Sequence, residues 1–123
     1  MLINCDDDKF WGQHLILNCK NGNDATTDME KVALFVDDLV QVIDMKKHGE
    51  IKIERFGEDK LVGISFCQFI ETSSIVGHLC DVNKNAYFDI FSCKQFHTSK
   101  VVECLQKWFD FEAIQQINLN RGV

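Results

Sequence analysis

Four side chains in the second half of the chain carry groups able to do chemistry together: Ser65, Ser73, His78 and Cys93. A serine hydroxyl is a weak nucleophile until a base takes its proton or the carbonyl beside it is oriented and polarised. Histidine suits that base role near neutral pH. A cysteine thiol can pass a proton to carbon once its pKa lies close to neutrality. All four residues fall in or beside the apolar runs of the stretch 62–93, VGISFCQFIETSSIVGHLCDVNKNAYFDIFSC. If those runs are adjacent strands, serine, histidine and cysteine can share one pocket. Each also has a plainer reading alone: Ser73 and Ser74 as turn serines, His78 as a hydrogen-bonded structural histidine, Cys93 as a small buried hydrophobe.

The elements that must position these groups are marked by periodicity. Alternation from Trp11 to Lys20 predicts a first strand, and Asn21-Gly22-Asn23-Asp24 a turn. Thr27 with Glu30 forms a capping-box pattern that opens a helix running to about Asp44, with Val32, Phe35, Val36, Leu39, Val40 and Ile43 on its apolar face. Ile51, Ile53 and Phe56 mark a second strand, Leu61 to Ile70 a third, Ile75 to Leu79 a fourth, and Ala86 to Cys93 a fifth. A second helix is expected from Thr98 or Ser99 to about Phe109, then a last strand over Glu112 to Asn120. Short turns between strands three, four and five imply antiparallel pairing. The order β-α-β-β-β-β-α-β predicts an α+β two-layer sandwich: a mostly antiparallel sheet with two helices on one face, residues 1–123 forming a single domain.

Composition narrows the function. With 46% hydrophobic and 26% charged residues the chain reads as an ordinary soluble globular protein. A net charge of −6 and no lysine or arginine cluster argue against nucleic acid or an anionic membrane as partner. No apolar run approaches the roughly 20 residues of a membrane span. MLINCDDDKFW lacks the basic-then-apolar pattern of a signal peptide. The six cysteines (5, 19, 67, 80, 93 and 104) lack CxxC spacing, which suggests free thiols in a reducing cytoplasm rather than disulfides or a metal site. His14 at a strand start is equally explained by packing, and His48 and His97 near element ends are expected to face solvent.

Four short motifs carry a resemblance: Gly12-Gln13-His14-Leu15, Gly63-Ile64-Ser65, Phe88-Asp89-Ile90-Phe91-Ser92-Cys93 and Asn120-Arg121-Gly122. In order and spacing they are similar to those of the short bacterial and archaeal S-adenosylmethionine decarboxylases, the pyruvoyl enzymes of spermidine synthesis. The resemblance implies a proenzyme cut between Thr72 and Ser73, with Ser73 becoming the pyruvoyl group that forms a Schiff base with the substrate amine. It also implies that Ser65 and His78 assist the cleavage, His78 as base, and that Cys93 donates a proton in catalysis. Phe56 would stack on adenine, and Glu71 is a candidate for the ribose contact. No metal is implied. The partners implied are a small substrate, S-adenosylmethionine or a related amino acid, and a second copy in a homodimer whose sheets stack near the active sites.

The chain departs from the family pattern in the middle of this stretch. Thr72-Ser73-Ser74 stands where the family has Glu-Ser-His, and Leu79-Cys80-Asp81-Val82 where it has Thr-Trp-Pro-Glu. In an unbroken strand Glu71 would face away from its neighbour's side. These departures keep two alternatives open: an uncleaved, non-catalytic homologue that binds a nucleoside-like ligand or regulates a partner, and a pyruvoyl decarboxylase of arginine or ornithine.

Overall fold

The computed structural model describes residues 1–3 and 9–123, so Cys5 and half of the polar lead-in expected over residues 1–10 lie outside the described residues. Along the rest, the alternating runs become strands and the 3.6-period runs become helices. They are β1 (Gly12–Lys20), α1 (Met29–Val42), β2 (Lys52–Phe56), β3 (Gly63–Ile70), β4 (Ser73–Cys80), β5 (Ala86–Ser92), α2 (Thr98–Phe109) and β6 (Ala113–Arg121). The strands form one antiparallel sheet in the order β2-β3-β4-β5-β1-β6. Both helices lie on one side of it, as the α+β two-layer reading expects.

Strand period sorts side chains between the two sides. In β4 the buried set is Ser73, Ile75, Gly77 and Leu79, while Ser74, Val76, His78 and Cys80 are more exposed. Beneath the helices, Phe88 meets Phe35, Phe66, Phe109 and Phe111, with ring centroids 5.6 to 6.4 Å apart. Gly77 leaves the room for this cluster: a Cβ there would stand 2.2 Å from the Phe66 ring and 2.8 Å from that of Phe88. Among the described residues, no helix lies over the other side of the sheet. That side shows a band of apolar side chains including Ile16, Phe69, Val76, Phe91, Ile117 and Leu119, with Phe69 60% exposed.

Two boundaries differ from the sequence expectation for local reasons. The Thr27–Glu30 capping box does not form. Asp28 caps α1 instead, its carboxylate accepting the Lys31 N–H, while the Thr27 hydroxyl bonds the Asp24 carbonyl at the end of a short 3-10 turn. A carboxylate one residue nearer the helix captures the free amide better than the hydroxyl behind it. The second boundary is the start of β4, at Ser73 rather than Ile75. Ile70 pairs with Ser73, leaving only Glu71 and Thr72 in the turn. No described helix is long and apolar enough to cross a membrane.

The helices are tied to each other by Asp38 of α1. Its Oδ2 accepts from Trp108 Nε1 at 2.8 Å and from Lys107 Nζ at 3.1 Å. The Trp108 bond, followed by the Lys107 contact, holds the Asp38 carboxyl below the usual carboxylate range. A depressed folded pKa stabilises the protein above the unfolded pKa, and that stability is lost as pH falls through the folded value. Asp38→Asn should therefore be less stable than the parent at neutral pH by about 1 to 2 kcal/mol. The gap should close in acid, below the usual carboxylate range, and urea unfolding at the two pH values checks this.

Candidate active site

The β3–β4 hairpin brings together one half of the expected site. Its two-residue turn places Glu71 at φ +46°, a left-handed conformation uncommon outside glycine, asparagine and aspartate. Ser73 follows as the first residue of β4 and is 7% exposed. Cys93 lies just past the end of β5, and its backbone N–H donates to Ser73 Oγ at 2.7 Å. The Thr72 and Ser73 hydroxyls hydrogen-bond the Cys93 sulfur and hold its pKa below that of an ordinary thiol, against slight desolvation and the negative charge of Glu71. A shallow pocket of about 410 Å³ adjoins this cluster, with Glu71, Thr72, Ser73 and Ser74 on one side and His48, Phe69 and Phe91 around it.

Ser65 and His78 form a separate pair. They sit directly opposite each other on β3 and β4, with Ser65 Oγ 2.9 Å from His78 Nδ1. His78 lies five strand positions from Ser73, about 17 Å at about 3.4 Å per residue. The odd offset also turns it to the open side, whereas Ser73 follows the buried alternation. The runs are adjacent strands as expected, yet within one chain Ser65 and His78 do not share a pocket with Ser73 and Cys93. Phe56 belongs with the Ser65–His78 end. It pairs with Gly63 at the far end of β3, about 24 Å along that strand from Ile70, and is 58% exposed.

Glu71 corrects a second expectation. Because it occupies the turn rather than a strand, alternation does not send its carboxylate away, and it lines the same pocket as Ser73. His48 is exposed, as expected, and it also lines this pocket. Its backbone N–H donates to the Phe69 carbonyl at 2.8 Å, a bridge joins Lys47 to Ile70, and buried Gln68 holds the Gly49 carbonyl through Nε2 at 3.1 Å. Nothing in the local pattern around His48-Gly49 marked this docking. Phe69 and Phe91 were readable from strand alternation, which points both to the open side. His14 stays apart from Ser73 and contacts Asp89 Oδ1 through Nε2 at 3.0 Å, its ring edge-on to Phe91.

A larger recess of about 590 Å³ lies beyond Phe91, lined by Trp11, Phe10, Lys9 and Arg121 to Val123. Its described lining offers no hydroxyl, thiol or imidazole, whereas the smaller pocket has three hydroxyl residues and His48. Among the described residues, no group of three or more His, Cys, Asp or Glu is placed to hold a metal ion.

The family model described as S-adenosylmethionine decarboxylase matches residues 13–122. The chain belongs to that family. No curated protein matches it. Among solved structures it is similar to the adenosylmethionine decarboxylase of Aquifex aeolicus, with a TM-score of 0.79 and 14% identity over 94% of this chain and 93% of that one. At that identity the structural likeness speaks for the S-adenosylmethionine decarboxylase fold. The family match spans both pairs, Ser73–Cys93 and Ser65–His78, together with Phe56, Glu71 and His48.

Proposed function

We propose that the chain is a pyruvoyl-dependent S-adenosylmethionine decarboxylase of spermidine synthesis, made as a proenzyme that cuts itself between Thr72 and Ser73 and works as a homodimer. The observation that carries this reading is the contact of Ser73 Oγ with Cys93 beside an open pocket at that peptide bond. Ser73 fits the precursor role: it is nearly buried, its oxygen is held by a backbone donor, and the turn before it brings Thr72 to the pocket. Attack of Ser73 Oγ on the Thr72 carbonyl carbon exchanges the amide for an ester; loss of the Ser73 α-proton expels the Thr72 carboxylate and leaves dehydroalanine, whose hydrolysis by water releases ammonia and leaves an α-keto group on the new amino terminus. That keto group supplies the electron sink for loss of CO₂. Cys93 holds the proton that replaces the lost carboxyl group. Phe69 and Phe91 offer flat faces for a purine, and the Glu71 carboxylate can accept hydrogen bonds from ribose hydroxyls.

The homodimer accounts for the separation of the two pairs. The open side of the sheet carries an apolar band of the kind that marks an interaction surface. Two such faces can stack about 10 Å apart. A two-fold axis crossing the strands at the level of Val76 sets the His78 row of one copy over the Ser74 row of the other. Ser65 and His78 then serve the Ser73 of the partner, and Phe56 arrives from the partner as well. The five described cysteines are all free, in keeping with a cytoplasmic enzyme.

The β-branched Thr72 before Ser73, with no imidazole hydrogen-bonded to Ser73 Oγ within the chain, favours the second reading, an uncleaved homologue that binds a nucleoside-like ligand. Intact mass under denaturing conditions separates the two. Processing converts the 14.2 kDa chain into pieces of 72 and 51 residues (123 − 72 = 51), the shorter beginning with a pyruvoyl group. A single full-length species after prolonged incubation overturns self-processing. Release of CO₂ from S-adenosylmethionine, and not from arginine or ornithine, is the expected substrate result for the cut protein.

A further inference from the structure

We infer that Gln68 is a positioning residue for the Thr72–Ser73 bond. From the buried face of β3 its amide fastens the segment 47–49 to the end of that strand, and so fixes the strand end from which the Glu71–Thr72 turn springs. The effect on cutting rests on the self-processing reading; the fastening itself does not.

Gln68 stands out by its place. The buried alternation at the end of β3 runs Ile64, Phe66, Gln68 and Ile70, and Gln68 is 0% exposed among these apolar neighbours. An amide in such a position is costly unless its polar groups find partners. Its Nε2 finds two, the Gly49 carbonyl at 3.1 Å and the Phe69 carbonyl at 2.8 Å. Its Oε1 has none among the described residues. An apolar side chain would suit this core position better, so the two donor bonds are what the glutamine adds.

Those bonds hold a bulge in the sheet edge. Lys52 pairs with Cys67 and Lys47 bridges to Ile70, five steps along the edge chain (47 to 52) against three along β3 (67 to 70). The edge chain therefore carries two extra residues, which a regular ladder cannot span. Gly49 bends the chain there at φ +76°, a region that favours glycine. Gln68 closes the gap. It grips Gly49 directly, and it shares the Phe69 carbonyl with the His48 backbone N–H, which donates to that oxygen at 2.8 Å. Beyond the bulge the pairing resumes in one cross-strand row, Lys47 with Ile70 and Ile70 with Ser73. Ser73 Oγ in turn accepts the Cys93 N–H at 2.7 Å. The row thus runs from the bulge to the bond proposed to be cut, and His48 and Phe69 line the pocket beside it.

The test separates fastening from cutting. Gln68→Met keeps the length of the side chain, removes both donors and leaves no polar group in the core, so the chain should still fold. In uncut full-length chains carrying Ser73→Ala, adding Gln68→Met should speed hydrogen exchange of the His48 amide by about 10-fold, with faster exchange across residues 70–73 as well. Gly49→Val attacks the same bulge from outside the core: its Cβ meets nothing within 4 Å, but the φ +76° bend strains it, and it should act in the same direction. Leu105→Val, on the buried face of α2, controls for general loosening and should move neither signal. With Ser73 intact, Gln68→Met and Gly49→Val should each slow fragment formation by about 10-fold, and Leu105→Val should not. Parent exchange at His48 in both bulge variants overturns the fastening. Faster exchange at His48, with residues 70–73 and the cutting rate unmoved, overturns the positioning role. If exchange rises at both places and the parent chain yields no fragments, the fastening and its reach to the turn stand, and the self-processing reading falls.

Discussion

Chains carrying Ser73→Ala and chains carrying His78→Ala, each deficient alone, should regain cleavage when unfolded together and refolded as a mixture. Ser73→Ala removes the attacking oxygen and should give no fragments. His78→Ala removes a general base and should slow cutting by roughly 10²- to 10⁴-fold. The strand register is the reason to expect rescue. Ser65 and His78 face the open side about 17 Å from Ser73 and cannot serve it within one chain. In a mixed dimer, the His78→Ala chain supplies an intact Ser73 and Cys93, and its partner supplies an intact Ser65 and His78. About half of the His78→Ala chains sit in mixed dimers under random pairing, and these alone should be cut. Fragment masses identify which chain was cut, because the substitutions fall in the same fragment with different masses. Absence of rescue, with both proteins dimeric, would place His78 back in its own chain or outside the reaction.

Phe88→Ala should be the most damaging single core substitution, lowering unfolding free energy by about 3 to 5 kcal/mol. Phe88 is 1% exposed at the centre of β5, and its ring meets those of Phe35, Phe66, Phe109 and Phe111. Truncation opens a cavity that a rigid sheet on one side and two packed helices on the other cannot close. The same strand ends beside Cys93, so loosening β5 should also disturb the Cys93–Ser73 contact. Chemical denaturation of the uncut Ser73→Ala form, with and without Phe88→Ala, measures the loss without interference from processing. A loss below about 1 kcal/mol would mean that the aromatic cluster repacks, contrary to this account.

Much of the architecture was legible because it rests on period. Alternation in Leu15, Leu17 and Cys19, and the helical spacing of Val32, Phe35, Val36 and Leu39, name the buried faces before any coordinates are known. Helix entry was less legible: Thr27 and Asp28 both suit a cap, and the choice depends on the 3-10 turn that Asn23 begins. The site was legible in its residue types and misleading in its grouping. Ser73 and Cys93 meet because one opens β4 and the other closes β5. Ser73 and His78 do not meet, since an interval of five along an unbroken strand reverses the side. The placements of Glu71 and His48 depend on a two-residue turn and on a bridge to Ile70, and neither leaves a periodic trace in the sequence.

The strand order has a bearing on what a cut at Thr72 would do. The segment before it holds β1, β2 and β3, and the segment after it holds β4, β5 and β6. Across the sheet these alternate as two from the first piece, two from the second, one from the first and one from the second. The two pieces are therefore woven together along three seams, β3 with β4, β5 with β1, and β1 with β6. Severing the hairpin opens one covalent link at the edge of the pocket and frees the amino end of β4, while the pieces stay interlocked by three ladders and a common aromatic core.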